Sequence, residues 1–252
     1  MANSPSGDSG LDRLVRVLET FDADRTLQTA SEIGRRAGLP PSTAHRLVGD
    51  LVAAGLLERD EDHRVRLGLR LWELAERGSL ALRLRQAALP FMERVQARVR
   101  EHTQLAVLEQ GEALFLERLS HPQAGANITR VAGRLPLHAS SSGLVLLAFA
   151  APEVQERVLA GPLTALAPET VTDAAELRRL LARIRRDRFV VAAGTVEAVS
   201  TGVAVPIREG RSGPVVAALS VVLPRDAPTA GALDELRSAA AGVEQALRSG
   251  SH

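Results

Sequence analysis

Hydrogen-bonding side chains gather on one face of a predicted helix near residue 45. Ser42, Thr43, His45 and Arg46 lie opposite an apolar stripe that recurs at helical spacing over residues 44–52. An arginine in such a place donates two parallel hydrogen bonds to O6 and N7 of guanine, and hydroxyl groups bind phosphates or base edges. These residue types in this order predict a face that reads double-stranded DNA in the major groove.

Two further arginines precede this face. Arg35 and Arg36 end the preceding predicted helix, from which they could reach the DNA backbone. Residues 33–49 contain three arginines and no acidic residue. The local surface is therefore basic, although residues 1–75 carry a net charge of −2.

A predicted hairpin after the helix adds a second, weaker candidate contact. Arg59, His63 and Arg64 suit phosphate or minor-groove contacts. The acidic tip at residues 60–62 would be repelled by DNA. We therefore expect the hairpin to touch DNA weakly, through its sides.

Three helices and this hairpin must position the DNA-reading residues. The spacing predicts a helix over residues 11–21, a second helix capped by Thr29 or Ser31 and ended by Gly38, and a third helix that ends at Gly55. Two strands, 56–59 and 64–67, follow. This order is typical of a winged helix-turn-helix. We place it at residues 10–67, after a disordered lead-in at 1–9 and before a linker helix at 68–79.

A second cluster of hydroxyl groups opens an apolar helix in the C-terminal half. Ser140, Ser141, Ser142 and Gly143 begin the predicted helix 140–150. Serines beside the free N–H groups of a helix N-terminus suit a carboxylate or hydroxyl ligand. The simpler alternative is N-capping, which explains only one serine of the three.

The C-terminal half alternates strands and helices. We expect paired strands at 104–108 and 113–119 and a third short strand at 128–131. Further helices are predicted at 152–159, 173–186 and 230–247, and further strands at 189–193, 203–208 and 215–222. Strands in pairs with helices between them suggest an α/β sensor-like module, so the whole chain is predicted to be an α+β protein of two domains.

The composition excludes several chemistries. All 31 basic residues are arginine, and Lys, Cys and Tyr are absent. A Schiff base, a complete P-loop, a thiolate zinc site and a disulfide are therefore impossible. The spacing of the histidines matches no metal motif, so neither a metal nor a cofactor is expected. The apolar stretches are too short for a bilayer span, and we expect a soluble, cytoplasmic protein with no membrane partner.

Two alternatives to a ligand sensor remain at this stage. His138, Ser141 and Glu197 could be drawn as a serine hydrolase triad, but no G-x-S-x-G sequence surrounds the serine. We therefore expect no catalytic activity, and a histidine that anchors a loop. The other alternative is a dimerisation domain with a degenerate pocket.

Taken together, these segments resemble the IclR family of transcriptional regulators. The matching segments follow the family's order along the chain: Leu11–Leu18, Gly38–Leu51 (GLPPSTAHRLVGDL), Gly55–Asp60 (GLLERD), Arg66–Leu71 (RLGLRL), Leu135–Ala139 with Gly143, and Val215–Val221 (VVAALSV). One departure is Gly143-Leu144-Val145, where the family has GKA.

The resemblance implies a GAF-like effector-binding and oligomerisation domain at residues 80–252. It also implies homodimers or dimers of dimers on palindromic operators. Our hypothesis is a repressor or activator in which the ligand changes the dimer geometry and the linker helix carries that change to the DNA-binding units. The implied pocket adds Ser200 and Gly202 on one strand and Ser220 and Val222 on another.

The expected ligand is a small organic acid. Arg118, Arg130 and Glu197 are its possible charged partners. Because Tyr is absent, we expect a lining of Val, Leu, Ala and Ser, with Phe115 or Phe149 nearby. Such a lining favours an aliphatic acid over a stacked aromatic one.

Overall fold

The structure, a computed structural model, describes residues 8–125, 127–210 and 213–249. The chain divides into two compact units, one ending at Ser79 and the other beginning at Leu80. Within the described residues, no helix is long and apolar enough to cross a membrane.

The N-terminal unit contains four helices and a two-stranded antiparallel sheet. The helices are α1 (Gly10–Leu18), α2 (Ala30–Ala37), α3 (Pro41–Ala53) and α4 (Leu69–Gly78), and the strands are β1 (Leu57–Arg59) and β2 (Val65–Leu67). Thr29 caps α2 in a capping box with Glu32, and Gly38 ends that helix at a φ of +63°. The Thr29 main-chain N–H and hydroxyl both donate hydrogen bonds to the Glu32 carboxylate, and these bonds hold the pKa of Glu32 below its ordinary value.

The expected extent of the first helix is wrong at its C-terminal end. The helix stops at Leu18, and the N–H groups of Thr20 and Phe21 bond to carbonyls three residues earlier, at 3.3 and 3.2 Å. Phe21 still packs against the core of the unit, which explains why its spacing looked helical. A side chain just beyond a helix can complete the apolar stripe without being part of the helix.

The hairpin and α4 are joined by tight contacts. A Cβ on Gly68 would lie 2.2 Å from the Gly55 carbonyl oxygen, so only glycine fits where the two chain segments cross. Gly68 offers no capping side chain, and the Glu58 carboxylate accepts the Leu69 N–H at 3.1 Å instead. This hydrogen bond, followed by one from Arg66, holds the pKa of Glu58 below its usual value.

The C-terminal unit is built on one six-stranded antiparallel sheet of order β5-β4-β3-β8-β7-β6. The strands are β3 (His102–Glu109), β4 (Glu112–Leu119), β5 (Arg134–Pro136), β6 (Val190–Ala193), β7 (Ser200–Arg208) and β8 (Val215–Pro224). The helices are α5 (Leu80–Val99), α6 (Ser141–Phe149), α7 (Pro152–Ala160), α8 (Ala174–Asp187) and α9 (Ala230–Ser249).

The sheet separates two apolar cores. Side chains of α5 and α9 pack on one face, around Met92, Leu219 and Leu236. Side chains of α6 and α8 pack on the other face, around Leu147 and Leu181. Because helices cover both faces, residues on both sides of β7 and β8 are buried and these strands read as continuous apolar runs.

The expected strand at residues 128–131 is wrong, and the third strand of this region is β5. The Thr129 N–H and hydroxyl both bond to the Asn127 side-chain oxygen, at 2.9 and 2.8 Å, which gives the segment a local alternative to strand pairing. Ala132, with a φ of +61°, then turns the chain before β5 pairs with β4. β-branched residues thus suggested a strand that local side-chain bonds prevent.

A glycine contact between the two helices of the first core provides a test of the packing. A Cβ on Gly242 of α9 would lie 1.9 Å from the ring of Phe91 in α5, and Arg94 covers that ring at 4.4 Å. We expect Gly242→Ala to lower the free energy of unfolding by about 1 kcal/mol, because overpacking outweighs the gain in helix propensity. Urea unfolding followed by circular dichroism measures the change. Gly231→Ala on the same helix meets no atom within 4 Å and should not destabilise; equal effects of the two changes would contradict the packing.

Candidate DNA-binding face and effector cavity

The structure places the predicted DNA-reading residues on one side of α3. Ser42, His45 and Arg46 are exposed, and Thr43 is partly exposed. The opposite side of the helix is buried in the core of the unit, through Ala44, Leu47, Val48 and Leu51. The two prolines before Ser42 start the helix without a side-chain cap, so its first turn presents free N–H groups as well.

Arg46 is held loosely in the free protein. Its guanidinium lies 3.0 Å from the Asp50 carboxylate one turn later, and both side chains are more than half exposed, at 63% and 59%. Exposed pairs of this kind contribute only a few tenths of a kcal/mol. Arg46 can therefore leave Asp50 for a base edge at little cost.

The two arginines at the end of α2, Arg35 and Arg36, differ in their surroundings. Arg35 is exposed at the C-terminal end of the helix. Arg36 donates a hydrogen bond to the Gln28 side-chain oxygen and so fixes the loop before α2. His45 lies 3.5 Å from the Ser31 hydroxyl, which joins the exposed sides of α2 and α3.

The acidic tip of the hairpin shapes its turn. The Asp60 carboxylate accepts the Arg64 N–H at 2.8 Å, and the Asp60 carbonyl accepts the His63 N–H at 3.1 Å. His63 adopts a φ of +60°, a conformation that this turn imposes. Asp60 therefore stabilises the turn of the hairpin. The three candidate DNA contacts, Arg59, His63 and Arg64, are all exposed on this hairpin.

A small buried cavity lies where the first turn of α6 meets the sheet. Its volume is about 30 Å³, close to the space of a single water molecule. Its wall comes from all six strands of the sheet, from the first turn of α6 and from the loops after β4 and β6. The lining residues are Gln104, Phe115, Asn127, Thr129, Leu135, Ser140, Ser141, Ser142, Ala192, Thr195, Val196, Glu197, Ser200, Gly202 and Val222.

The cavity brings together six of the eight residues predicted for an effector site. Gly143 and Ser220 are the exceptions, since neither lines it. Ser220 is fully buried beneath it and accepts a hydrogen bond of 2.8 Å from the Ser142 hydroxyl. A Cβ on Gly143 would lie 2.7 Å from the Leu137 carbonyl oxygen, so this glycine allows α6 to start close to the preceding loop.

The first turn of α6 supplies main-chain donors. Ser140 is the N-cap, and its hydroxyl accepts the Gly143 N–H at 3.0 Å. The N–H groups of Ser141 and Ser142 have no acceptor within the helix. A Cβ on Gly202 would lie 2.5 Å from the Ser141 hydroxyl oxygen. Because Gly202 has no side chain, the start of α6 can pack directly against β7 at this point.

A polar cluster on the opposite wall was missed in the sequence. The Gln104 amide donates to the Thr129 hydroxyl, which donates to the Asn127 side-chain oxygen at 2.8 Å. The Asn127 side-chain nitrogen is buried and has no hydrogen-bond partner among the described residues. The lining is therefore more polar than expected. Of the two phenylalanines considered, Phe115 lines the cavity.

The predicted charged partners of a ligand fall in three places. Glu197 lines the cavity and is half-buried. Arg118 donates to the carbonyl oxygens of Asn127 and Thr129 and so fixes the loop that carries them. Arg130 is exposed.

The residues of the hydrolase alternative do not form a triad. His138 is buried, and its Nε2 atom lies 3.0 Å from the Thr164 carbonyl oxygen, in the role of a loop anchor. The Ser141 hydroxyl packs against Gly202 on the sheet. Over residues 8–125, 127–210 and 213–249, no group of three His, Asp or Glu side chains could hold a metal ion.

A winged helix-turn-helix with a basic reading face, joined to an α+β unit with a polar cavity, defines a transcriptional regulator with a separate sensor domain. Family models support the same class: "Bacterial transcriptional regulator IclR C-terminal" matches residues 80–246, and "IclR helix-turn-helix domain" matches residues 10–61. The chain belongs to the IclR family of transcriptional regulators.

Individual relatives agree with this assignment. An IclR homolog of Microbacterium hydrocarbonoxydans, crystallised with 4-hydroxybenzoate, is 63% identical with a TM-score of 0.90, over 96% of this chain and 100% of that one. The HTH-type transcriptional regulator XynR of Escherichia coli is 27% identical over 94% of this chain and 96% of its own length. The p-hydroxybenzoate hydroxylase transcriptional activator of Acinetobacter baylyi is also 27% identical, over 84% of this chain and 80% of its own.

The reading face of α3 can be tested with two arginine variants of equal charge. Arg46→Ala should weaken binding to a duplex that this protein selects from a random pool by roughly 5- to 150-fold, the equivalent of about 1–3 kcal/mol. Arg25→Ala is the matched control, because Arg25 is an exposed, ion-paired arginine outside α2 and α3. Fluorescence anisotropy at fixed salt measures both. Equal losses would show that bulk charge, rather than the face of α3, determines binding.

Proposed function

We propose that this regulator binds a small aromatic hydroxy acid of the 4-hydroxybenzoate type in the cavity beneath α6 and thereby changes its affinity for a palindromic operator. The observation that carries the proposal is the 63% identical homolog crystallised with 4-hydroxybenzoate. The proposal replaces the aliphatic acid favoured by composition, since Phe115 offers a ring in the lining. We assign no catalytic activity to the chain.

The cavity offers different chemistry at its two ends. The Ser141 and Ser142 amides and hydroxyls form a donor-rich end, where the positive end of the α6 dipole favours a carboxylate. The unpartnered Asn127 amide nitrogen at the other wall is suited to the phenol oxygen. The ring would lie between them, against Phe115 and Val222.

Binding requires the cavity to enlarge. A volume of about 30 Å³ holds one water molecule, and a substituted benzene ring needs several times that space. Core packing around α6 is dense on every side, so the loops after β4 and β6 are the parts of the wall that can separate. The ligand therefore selects or creates an arrangement that differs from the one described, which is the requirement for a switch.

The same proposal includes assembly as a homodimer or a dimer of dimers. No side chain of α4 is buried, and Leu69, Trp72 and Leu74 are exposed at 69%, 61% and 50%. An apolar surface of this kind is expected to be covered by a partner. A second copy would provide the twofold symmetry that a palindromic operator requires.

The ligand assignment is testable by calorimetry with two acids. We expect 4-hydroxybenzoate to bind the full chain more tightly than benzoate. Asn127→Ala should weaken 4-hydroxybenzoate binding by roughly 5- to 10-fold, one neutral hydrogen bond, and leave benzoate unchanged. Thr103→Val is the control, because this buried hydroxyl makes no hydrogen bond in the described structure and belongs to the same strand as Gln104. If neither acid binds, the cavity is a degenerate pocket and the proposal fails.

The dimer assignment is tested by replacing the exposed tryptophan. Trp72→Glu should shift the protein from dimer or tetramer toward smaller species in analytical ultracentrifugation, because a charge is costly in an apolar interface. Leu166→Glu places the same charge at an exposed leucine of the C-terminal unit and should leave the assembly unchanged. An unaltered sedimentation profile of the Trp72 variant would place the interface elsewhere.

A further inference from the structure

Two adjacent residues of β4 point to opposite faces of the sheet and bind different elements there. Pairing of β3 with β4 shifts register at Leu116: Leu105 pairs with Glu117, whereas Ala106 pairs with Phe115. This bulge reverses the alternation, so that Glu117 faces the α5 side and Arg118 faces the cavity side opposite Gln104.

On the cavity side, Arg118 holds the loop that carries the polar cluster. Its guanidinium donates to the Asn127 carbonyl at 3.3 Å and to the Thr129 carbonyl. Both of these residues line the cavity. A displacement of this loop by a ligand would therefore act directly on Arg118.

On the other side, Glu117 binds the helix that follows the DNA-binding unit along the chain. The Glu117 side chain is only 9% exposed, and its Oε2 atom lies 2.6 Å from the Arg85 guanidinium of α5. Its Oε1 atom accepts the Arg118 main-chain N–H at 2.8 Å. One carboxylate thus joins Arg85 to the backbone of Arg118, and only Ser79 separates α5 from α4 in the chain.

Stability alone gives little reason for this pair. The Arg85 side chain is 41% exposed, and an ion pair whose cation remains in contact with water contributes little to folding because the solvent screens the attraction. Glu117 also accepts the main-chain N–H of Arg118, whose guanidinium binds the cavity loop. This arrangement suggests that the pair transmits movements of the loop to α5.

We propose that Glu117 and Arg118 form a through-sheet link that makes the position of α5 depend on the state of the effector cavity. The inference rests on the proposed function, because it requires a ligand that moves the loop at residues 127–129. Glu117 and Arg85 act as positioning residues: neither lines the cavity, and each is required for one site to affect the other.

The test measures the ratio of operator dissociation constants with and without saturating 4-hydroxybenzoate. Arg85→Met and Glu117→Gln should each bring this ratio to within about two-fold of 1. The wild type should show the roughly 5- to 150-fold change that is typical of allosteric coupling between two sites. The ligand affinity and the operator affinity without ligand should remain within about two-fold of the wild type for the same reason.

A second ion pair of α5 serves as the matched control. Arg98 lies 2.6 Å from Glu235 of α9, at the same distance as the Arg85 pair, but neither residue lines the cavity. Arg98→Met should keep the full ligand response. If a single variant fails to fold, the double replacement Arg85→Met with Glu117→Leu leaves no unpaired carboxylate in the core and should still lose the response.

The outcomes separate the two proposals. A wild-type protein that binds no ligand, or whose operator affinity ignores the ligand, refutes the proposed function. A wild-type protein that responds, with folded Arg85 and Glu117 variants that respond equally, refutes the through-sheet link alone.

Discussion

The C-terminal unit depends on the close approach of a helix N-terminus to a bare stretch of strand. Helix α6 is buried from Ser141 to Ala148, so it must contact the sheet without intervening large side chains at its start. Gly202 leaves the space that Ser141 occupies, and Ser142 bonds to the buried Ser220 at 2.8 Å. This contact stabilises the second core and also aims the donors of the helix at the cavity. Packing and the proposed ligand chemistry thus depend on the same residues.

The sheet separates the proposed effector cavity from the proposed route of transmission. The face toward α6 and α8 contains the cavity beneath α6, and the opposite face packs against α5 and α9. A bulge in β4 gives one strand access to both faces through Glu117 and Arg118. In the N-terminal unit, Glu58 caps α4 from the hairpin, so the helix that follows the DNA-reading domain is fixed to that domain by a charged hydrogen bond. Side-chain contacts therefore connect the hairpin to α4 in the N-terminal unit, and β4 to both α5 and the cavity loop in the C-terminal unit.

Local signals explain how much of this could be predicted. Helix caps such as Thr29 and Gly38, the apolar stripe of α3 and the serines before α6 depend on neighbours within four residues, which the sequence displays. The polar cluster forms only when β3 and the loop after β4 come together, because its members are Gln104, Asn127 and Thr129. The spacing of these residues in the sequence does not predict this contact. The missing strand at residues 128–131 has a partly local cause, because the side chains of Asn127, two residues from Thr129, and of Arg118 in β4 bind the backbone of Thr129. Side-chain hydrogen bonds, which hydrophobic periodicity does not show, set the limits of prediction at this site.

The most direct measurement of ligand-dependent regulation is the affinity of the effector with and without the operator. Thermodynamic linkage requires that, if 4-hydroxybenzoate changes the operator affinity by some factor, saturating operator changes the affinity of 4-hydroxybenzoate by the same factor. Calorimetric titration of the 252-residue chain, alone and bound to its selected duplex, gives this factor. We predict two dissociation constants that differ by at least about 5-fold, the low end of typical coupling. Identical constants in the two titrations would contradict regulation through the cavity beneath α6.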